Sequence, residues 1–220
     1  MKKKYVQVGL GGRARFFYEA IASTYHQTCE LVGFCDVSQT RMDYANRVLV
    51  NKYGQKKVKT CMPSQFEQLL DDVQPDEVII TSVDRTHHDY IIRAMRKGYD
   101  VICEKPLTID EEKAQEIITV QKQTGRNLRV TFNYRYAPYH TKIKELLEKD
   151  IIGDVFSIHF EWLLNTQHGA DYFRRWHRNK HNSGGLLVHK STHHFDLVNF
   201  WLSSQPKKVF AFGELNFYGM

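Results

Sequence analysis

The chain has 220 residues, 42% of them hydrophobic and 13% aromatic, with a formal charge of +6. That is enough apolar material for one full core and part of a second, and it excludes an intrinsically disordered chain. The basic residues are interspersed with Asp and Glu, and no apolar run reaches the roughly eighteen residues of a membrane span, so neither a nucleic-acid nor a membrane partner is expected.

Met1-Lys2-Lys3-Lys4 imitates the start of a signal peptide, but Arg13 and Arg15 break the short apolar stretch behind it. Tyr5 to Val8 reads as a strand that breaks at Gly9-Leu10-Gly11-Gly12, after which Phe16, Phe17, Ala20, Ile21 and Thr24 recur at helical spacing. A second strand, Glu30 to Cys35, ends on Asp36, and Ser38 is placed to cap the next helix. Val78-Ile79-Ile80 and Val101-Ile102-Cys103 are further apolar strands, with a helix carrying Ile91, Ile92, Ala94 and Met95 between them. Helix is predicted over 109–123 and strand over 128–132. Continuous apolar strands alternating with helices predict an α/β fold of the doubly wound, parallel, Rossmann type.

The pattern then changes. A helix is expected over 139–149, and alternating strands over 155–162 and 208–217. The chain is therefore divided into a dinucleotide-binding domain, 1–135, and the start of a smaller α+β domain, 136–220, with a mostly antiparallel sheet. Trp162 and Trp201 are assigned to the core. Cys29, Cys35, Cys61 and Cys103 show no CxxC spacing, and two of them lie in core-like runs, so reduced thiols in a cytoplasmic protein are expected.

Gly9-Leu10-Gly11-Gly12-Arg13-Ala14 matches G-x-G-x-x-(G/A), follows a strand and opens a helix, with Asp36 at the end of the next strand. Glycine lets the backbone turn sharply and approach a pyrophosphate, which the helix N-terminus attracts. Asp36 suits the adenine-ribose diol, whereas a 2'-phosphate would meet a like charge costing up to about 4 kcal/mol at ~4 Å in an effective dielectric near 20. NAD is thus favoured over NADP, although Arg41 nearby would partly offset the repulsion; Asp36 could equally serve as a helix cap.

Thr81-Ser82-Val83-Asp84-Arg85-Thr86-His87 and Glu104-Lys105-Pro106 leave their strands at the same sheet edge as the glycine turn. Pro106 is expected to hold Lys105 extended and so fix where it points. With these segments, Asn133-Tyr134-Arg135 and the late Ser183-Gly184-Gly185 to His193-His194-Phe195-Asp196 stretch, the chain resembles the Gfo/Idh/MocA family of NAD(P)-dependent oxidoreductases.

The resemblance implies a dehydrogenase acting on the CH–OH of a sugar, polyol or related small molecule. It casts Lys105 as the charge beside the reacting oxygen and His193 as acid/base, whose ordinary pKa near 6.5 suits neutral pH. Gly9, Gly11, Gly12, Arg13, Ala14, Asp36, Arg41, Ser82, Val83, His87, Glu104, Lys105 and Arg135 would serve the cofactor, and Tyr134, Trp176, His189 and Lys190 the substrate. Trp176 could equally be core, and His87 with His88 a helix start. Departures are His189 where the family often carries aspartate, Val83 for proline and Ser191 for glycine; Lys190 adds a cation, suggesting an acidic or acylated substrate.

His189 and His193 have the i, i+4 spacing of metal ligands on a predicted helix, but no carboxylate or thiolate joins them, so no metal is expected. The family usually continues well beyond this length, so the chain is expected to be C-terminally short, with sheet edges that favour a homo-oligomer. Other readings are an NAD-dependent glycosidase working by transient oxidation, or a non-catalytic dinucleotide sensor.

Overall fold

A computed structural model of the protein describes residues 1–214, and the chain divides into two compact units, one running to Thr131 and the other starting at Phe132. The division falls a few residues before the boundary expected from the sequence. The short 3₁₀ turn Asn133–Tyr136 belongs to the second unit, where Arg135 Nε donates to Asp196 Oδ2 at 2.7 Å.

In chain order the first unit runs β1 (Lys3–Val8), α1 (Ala14–Ala22), β2 (Cys29–Cys35), α2 (Gln39–Tyr53), β3 (Lys59–Cys61), α3 (Phe66–Val73), β4 (Glu77–Ile80), α4 (Asp84–Arg96), β5 (Asp100–Cys103), α5 (Glu111–Thr124) and β6 (Leu128–Val130). Its strands form a six-stranded sheet in the order β3-β2-β1-β4-β5-β6, every neighbouring pair parallel. Parallel pairing requires a crossover for each return, and the helices supply it. The strand order reverses between β1 and β4, which opens a crevice at their carboxyl ends.

The strands are apolar on both faces because both faces are covered. Phe34 packs with Leu10, Tyr18, Met42 and Leu49 under α1 and α2, while its neighbour Cys35 packs with Cys61, Phe66, Ile80 and Ile91 under α3 and α4. The period-two alternation of a strand sends successive side chains to opposite layers. Ser38 caps α2, its Oγ accepting from Arg41 N–H, as its position predicts. β3 and α3 escaped the sequence reading. β3 is three residues long and follows Lys56 and Lys57, too short and polar to show a pattern, whereas Phe66, Leu69, Leu70 and Val73 do carry a helical spacing.

α1 and α2 are tied through Glu19, whose carboxylate accepts from Tyr53 Oη at 2.7 Å, Lys52 Nζ at 2.9 Å and Arg15 Nε at 2.9 Å. The Tyr53 bond, followed by the Lys52 bond, holds its pKa down to about 2. Since the folded value lies below the unfolded one, this stabilisation is complete above about pH 4.5 and is lost as pH falls towards 2. Urea midpoints of Glu19→Gln are expected to lie below the parent's at pH 6, and the gap to close on acidification.

The second unit contains α6 (Pro138–Glu148), α7 (Thr166–Arg174), α8 (Lys180–Ser183), α9 (Leu186–His189) and α10 (Thr192–Leu202). The strand expected over 155–162 is not formed, and neither is the part of the 208–217 run that lies within the described residues; 215–217 lie outside them. An apolar alternation becomes a strand only when its backbone groups find a ladder partner, and none of the described residues supplies one. Phe156 is fully displayed, at 96% exposure. Trp162 is not a core residue but is 37% exposed, and Trp201 is partly buried, donating its indole N–H to His140 O at 3.1 Å.

Candidate active site

The carboxyl edge of the first sheet is assembled around Gly9. Its N–H donates to Cys35 O at 2.8 Å, and its φ of +79° is one that glycine adopts without steric cost. A Cβ there would stand 2.5 Å from Ser82 Cα and N, so glycine is what lets the first turn lie against the end of β4. Thr81 locks the approach, its Oγ1 donating to Gly9 O at 2.6 Å while accepting from Gln7 Nε2 at 3.1 Å. Gln7 also reaches Ala14 O at 3.1 Å. Thr81 lies on the edge expected from the sequence, whereas Gln7 is an addition to it; an amide inside an otherwise apolar strand is the signal that marks it.

Gly11 and Gly12 differ from Gly9 in that nothing lies within 4 Å of a Cβ built on either. Ala14 opens α1, and the preceding Arg13 provides no side-chain cap, leaving the helix N-terminus suited to an anion. Arg13 instead reaches across the edge, its Nε 2.7 Å from Glu104 Oε1. The other oxygen of Glu104 accepts from the Lys105 backbone N–H at 3.1 Å. Glu104, 5% exposed, is therefore a brace between the glycine turn and the residue after it, which explains an acidic group at the mouth of a buried strand.

Asp36 is a clamp as well as a candidate ribose ligand. Oδ2 accepts from Leu10 N–H at 2.5 Å, Oδ1 accepts from Ser38 N–H at 2.8 Å, and Arg41 Nη1 stands 3.7 Å away. The same carboxylate thus fixes the glycine turn and the entry to α2. His87, expected beside the cofactor, is 1% exposed, with its ring nitrogens 2.9 Å from Pro106 O and 3.1 Å from Ser82 O. His87 thus ties the β4 and β5 loops together. Ser82 and Val83 lead into α4 at the same edge, and the Lys105–Pro106 peptide bond is cis. Lys105 is half-buried.

Within the second unit, Tyr134, Lys190 and His193 come together. Lys190 Nζ donates to Tyr134 Oη at 2.6 Å, and the Tyr134 ring stacks on His193 with centroids 3.9 Å apart and planes within 4°. Trp162 and His194 extend the stack, as does His140, which was not singled out from the sequence. His189 and Trp176 belong to another aromatic group with His177 and Tyr172, Trp176 meeting His189 edge-on at 5.5 Å. His189 ends α9 and His193 lies in α10, so they do not share one helix; the turn at Lys190 and Ser191 intervenes. Among the described residues no group of three metal-ligating side chains occurs.

Arg135, expected at the cofactor, instead holds Asp196 through two hydrogen bonds and lies over the Phe200 ring. Its guanidinium ties the 3₁₀ turn to α10. Burial lowers the pKa of His140, and burial followed by the nearby Lys190 lowers that of His194. A depressed histidine keeps its stabilising effect above the unfolded value near 6.5 and loses it as pH falls below. Tryptophan fluorescence is expected to report loosening of the Trp162 and Trp201 environment on acidification below about pH 6, to a smaller extent in His140→Leu, where His194 still titrates against Trp162.

A glycine turn at a helix start, an acidic residue closing the second strand and a reversal of strand order define a dinucleotide-binding Rossmann unit. A family model described as an oxidoreductase family with an NAD-binding Rossmann fold matches residues 3–132, and one for that family's C-terminal alpha/beta domain matches 144–217. The chain belongs to the Gfo/Idh/MocA oxidoreductase family.

It is 38% identical over 219 residues to YteT of Bacillus subtilis, described as an oxidoreductase, covering 99% of this chain and 50% of that protein. It is 30% identical over 136 residues to inositol 2-dehydrogenase of Rhizobium meliloti, covering 62% of this chain and 39% of the relative. Among solved structures, myo-inositol 2-dehydrogenase from Lactobacillus plantarum shares the fold, with a TM-score of 0.79 at 21% identity over 94% of this chain and 58% of that one. Scyllo-inositol dehydrogenase from Lactobacillus casei with bound NAD(H) and scyllo-inositol gives 0.75 at 23% identity over 92% of this chain and 57% of the other. The chain thus spans about half the length of the relatives it matches.

NAD, the cofactor of this family's Rossmann unit, suits the residues present. The open space beside Gly11 and Gly12 and the uncapped start of α1 fit a pyrophosphate, and Asp36 fits a ribose diol.

Proposed function

We propose that this chain carries the nucleotide-binding and reactive-lysine portion of an NAD-dependent dehydrogenase that oxidises a secondary alcohol of a sugar, inositol or related polyol. The observation that carries the reading is the double engagement of Glu104, which sets Lys105 just beyond β5 on the edge that bears the glycine turn. Bound NAD supplies a hydride acceptor. The Lys105 ammonium stabilises negative charge as it develops on the substrate oxygen, and His193 takes the hydroxyl proton. Tyr134, Lys190, His189 and Trp176 contribute to substrate recognition, the cation favouring substrates with an acidic or acylated group. The names of the relatives, an inositol 2-dehydrogenase and a D-glucoside 3-dehydrogenase of Escherichia coli among them, support the substrate class.

In the same reading the protein is a cytoplasmic homo-oligomer. The apolar runs of its second unit, which display Phe156, Phe210 and Phe212, enter a mostly antiparallel sheet once a ladder partner is supplied, as by a second copy of the chain. The purified protein, offered NAD and a panel of inositols, glucosides and uronates, is expected to show net growth of reduced-nicotinamide absorbance with at least one. NAD binding with no turnover across the panel would overturn the dehydrogenase reading.

Asp36→Ala is expected to weaken NAD binding about tenfold, the loss of one charged hydrogen bond, while NADP binding weakens less or improves. Calorimetric titration of both nucleotides checks this. Equal losses for the two would remove Asp36 from nucleotide selection.

A further inference from the structure

Two buried thiols close the strands that hold the nucleotide edge, and nothing in the proposed chemistry uses them. Cys35 is the last residue of β2 and Cys61 the last of β3, and they are direct partners in the register of that parallel pair. Cross-strand partners send their side chains to the same face, and both cysteines belong to the same core cluster. The two thiols are near enough to act on each other's ionisation. Strand spacing near 4.8 Å places the Cα atoms of such a pair within the range that a disulfide spans. Cys35 is fully buried and Cys61 is 8% exposed, so Cys61 is the one a small oxidant reaches first.

The surroundings favour chemistry at Cys61. The neighbouring Cys35 thiol draws the Cys61 thiol below its ordinary range, an effect to which the Arg93 guanidinium adds against burial and Glu67. Cys35, through its neighbour Cys61 and then burial, is held protonated, and the Tyr90 hydroxyl also acts on it. Arg93 is itself anchored by Glu67 and Asp89. The charged and titratable groups around the pair are therefore Arg93, Glu67, Asp89 and Tyr90.

The pair is wired to the nucleotide edge through the backbone. Cys35 O accepts from Gly9 N–H at 2.8 Å, and Cys61 O accepts from Asp36 N–H at 3.4 Å. Asp36, the next residue after Cys35, holds Leu10 N–H at 2.5 Å. Any bond that draws the two strand ends together acts on the carboxylate that shapes the glycine turn.

We propose that hydrogen peroxide oxidises Cys35 and Cys61 to a reversible disulfide, and that its formation loosens the Asp36 clamp and lowers nucleotide affinity. The Cys61 thiolate attacks the peroxide O–O bond, giving a sulfenic acid and releasing one water once a proton is taken up. Cys35 sulfur then attacks the Cys61 sulfur, expelling the oxygen as a second water; two thiols are oxidised and one peroxide is reduced. A dithiol reductant reverses the step.

The test treats the purified, unsubstituted chain with hydrogen peroxide, maps linked peptides by mass spectrometry, and follows amide exchange at Leu10 before and after oxidation. The inference expects a Cys35–Cys61-linked peptide, loss of two hydrogens in intact mass, faster exchange at Leu10, and recovery on adding dithiothreitol. Cys61→Ala should show neither the link nor the exchange change. Oxidation stopping at sulfinic acid, a link through Cys29 or Cys103, or unchanged Leu10 exchange would each overturn it.

The NAD arm rests on the proposed nucleotide site, and there the expected effect is an affinity about tenfold weaker after oxidation, equivalent to one forfeited hydrogen bond. Absence of NAD binding to the reduced chain would count against that site alone, because the peptide map and the exchange readout do not depend on it.

Discussion

Replacing Lys105 by alanine is expected to lower kcat by about a thousandfold while leaving the NAD dissociation constant within about a factor of two. The asymmetry follows from how the residue is held. The groups that fix its backbone are Glu104, which takes its N–H, and His87, which takes the carbonyl of Pro106; both remain when the side chain is cut back. What disappears is the ammonium, whose effect grows only as the substrate oxygen gains charge, so substrate affinity should change far less than turnover. Lys105→Arg keeps the charge but spreads it over a planar fork, and should restore only part of the rate. Steady-state nicotinamide absorbance with calorimetric NAD titration separates the two quantities. Full activity in the alanine variant would assign Lys105 to support of the loop and take the catalytic role from it.

The first unit could be read from the sequence because its constraints are local. Gly9, Asp36 and Glu104 each terminate a strand whose apolar run shows it to be buried, and the carboxyl ends of parallel strands meet at one edge whatever the details of packing. What the pattern could not disclose was how those residues are engaged. His87 matches a cofactor position by order along the chain, yet its two ring nitrogens face carbonyls of loops that meet only in three dimensions. Arg135 is likewise assigned to the cofactor by the resemblance, while its guanidinium is engaged by Asp196, far along the chain. The second unit was less legible for a different reason. Alternation over 155–162 states a preference for a sheet, but a strand exists only with a partner, and partner choice is not written in the period of the run.

Alanine at Gly9 and alanine at Gly11 or Gly12 should fail in opposite ways, which turns the glycine turn into its own control. At Gly9 the added Cβ would lie 2.5 Å from Ser82 Cα and N and 2.7 Å from Thr81 C, all backbone atoms that no rotamer change can move aside. The φ of +79° adds a steric cost of its own for any L side chain. Together these should destabilise the first unit by roughly 3 kcal/mol or more, a fall of about ten degrees in Tm. The Thr81 hydroxyl bond to Gly9 O and the Gln7 bond behind it would be strained as well, spreading the damage along β1 and β4. At Gly11 and Gly12 no atom stands within 4 Å of the new methyl group, so the folded chain should keep its Tm within a degree or so. The methyl would instead enter the space in which a pyrophosphate must approach the backbone, and NAD affinity should fall at least about tenfold. Differential scanning fluorimetry with and without NAD reads both effects in one experiment. A Gly9→Ala protein as stable as the parent would contradict the close contact with β4, and undiminished NAD binding by Gly11→Ala and Gly12→Ala would move the pyrophosphate away from this turn.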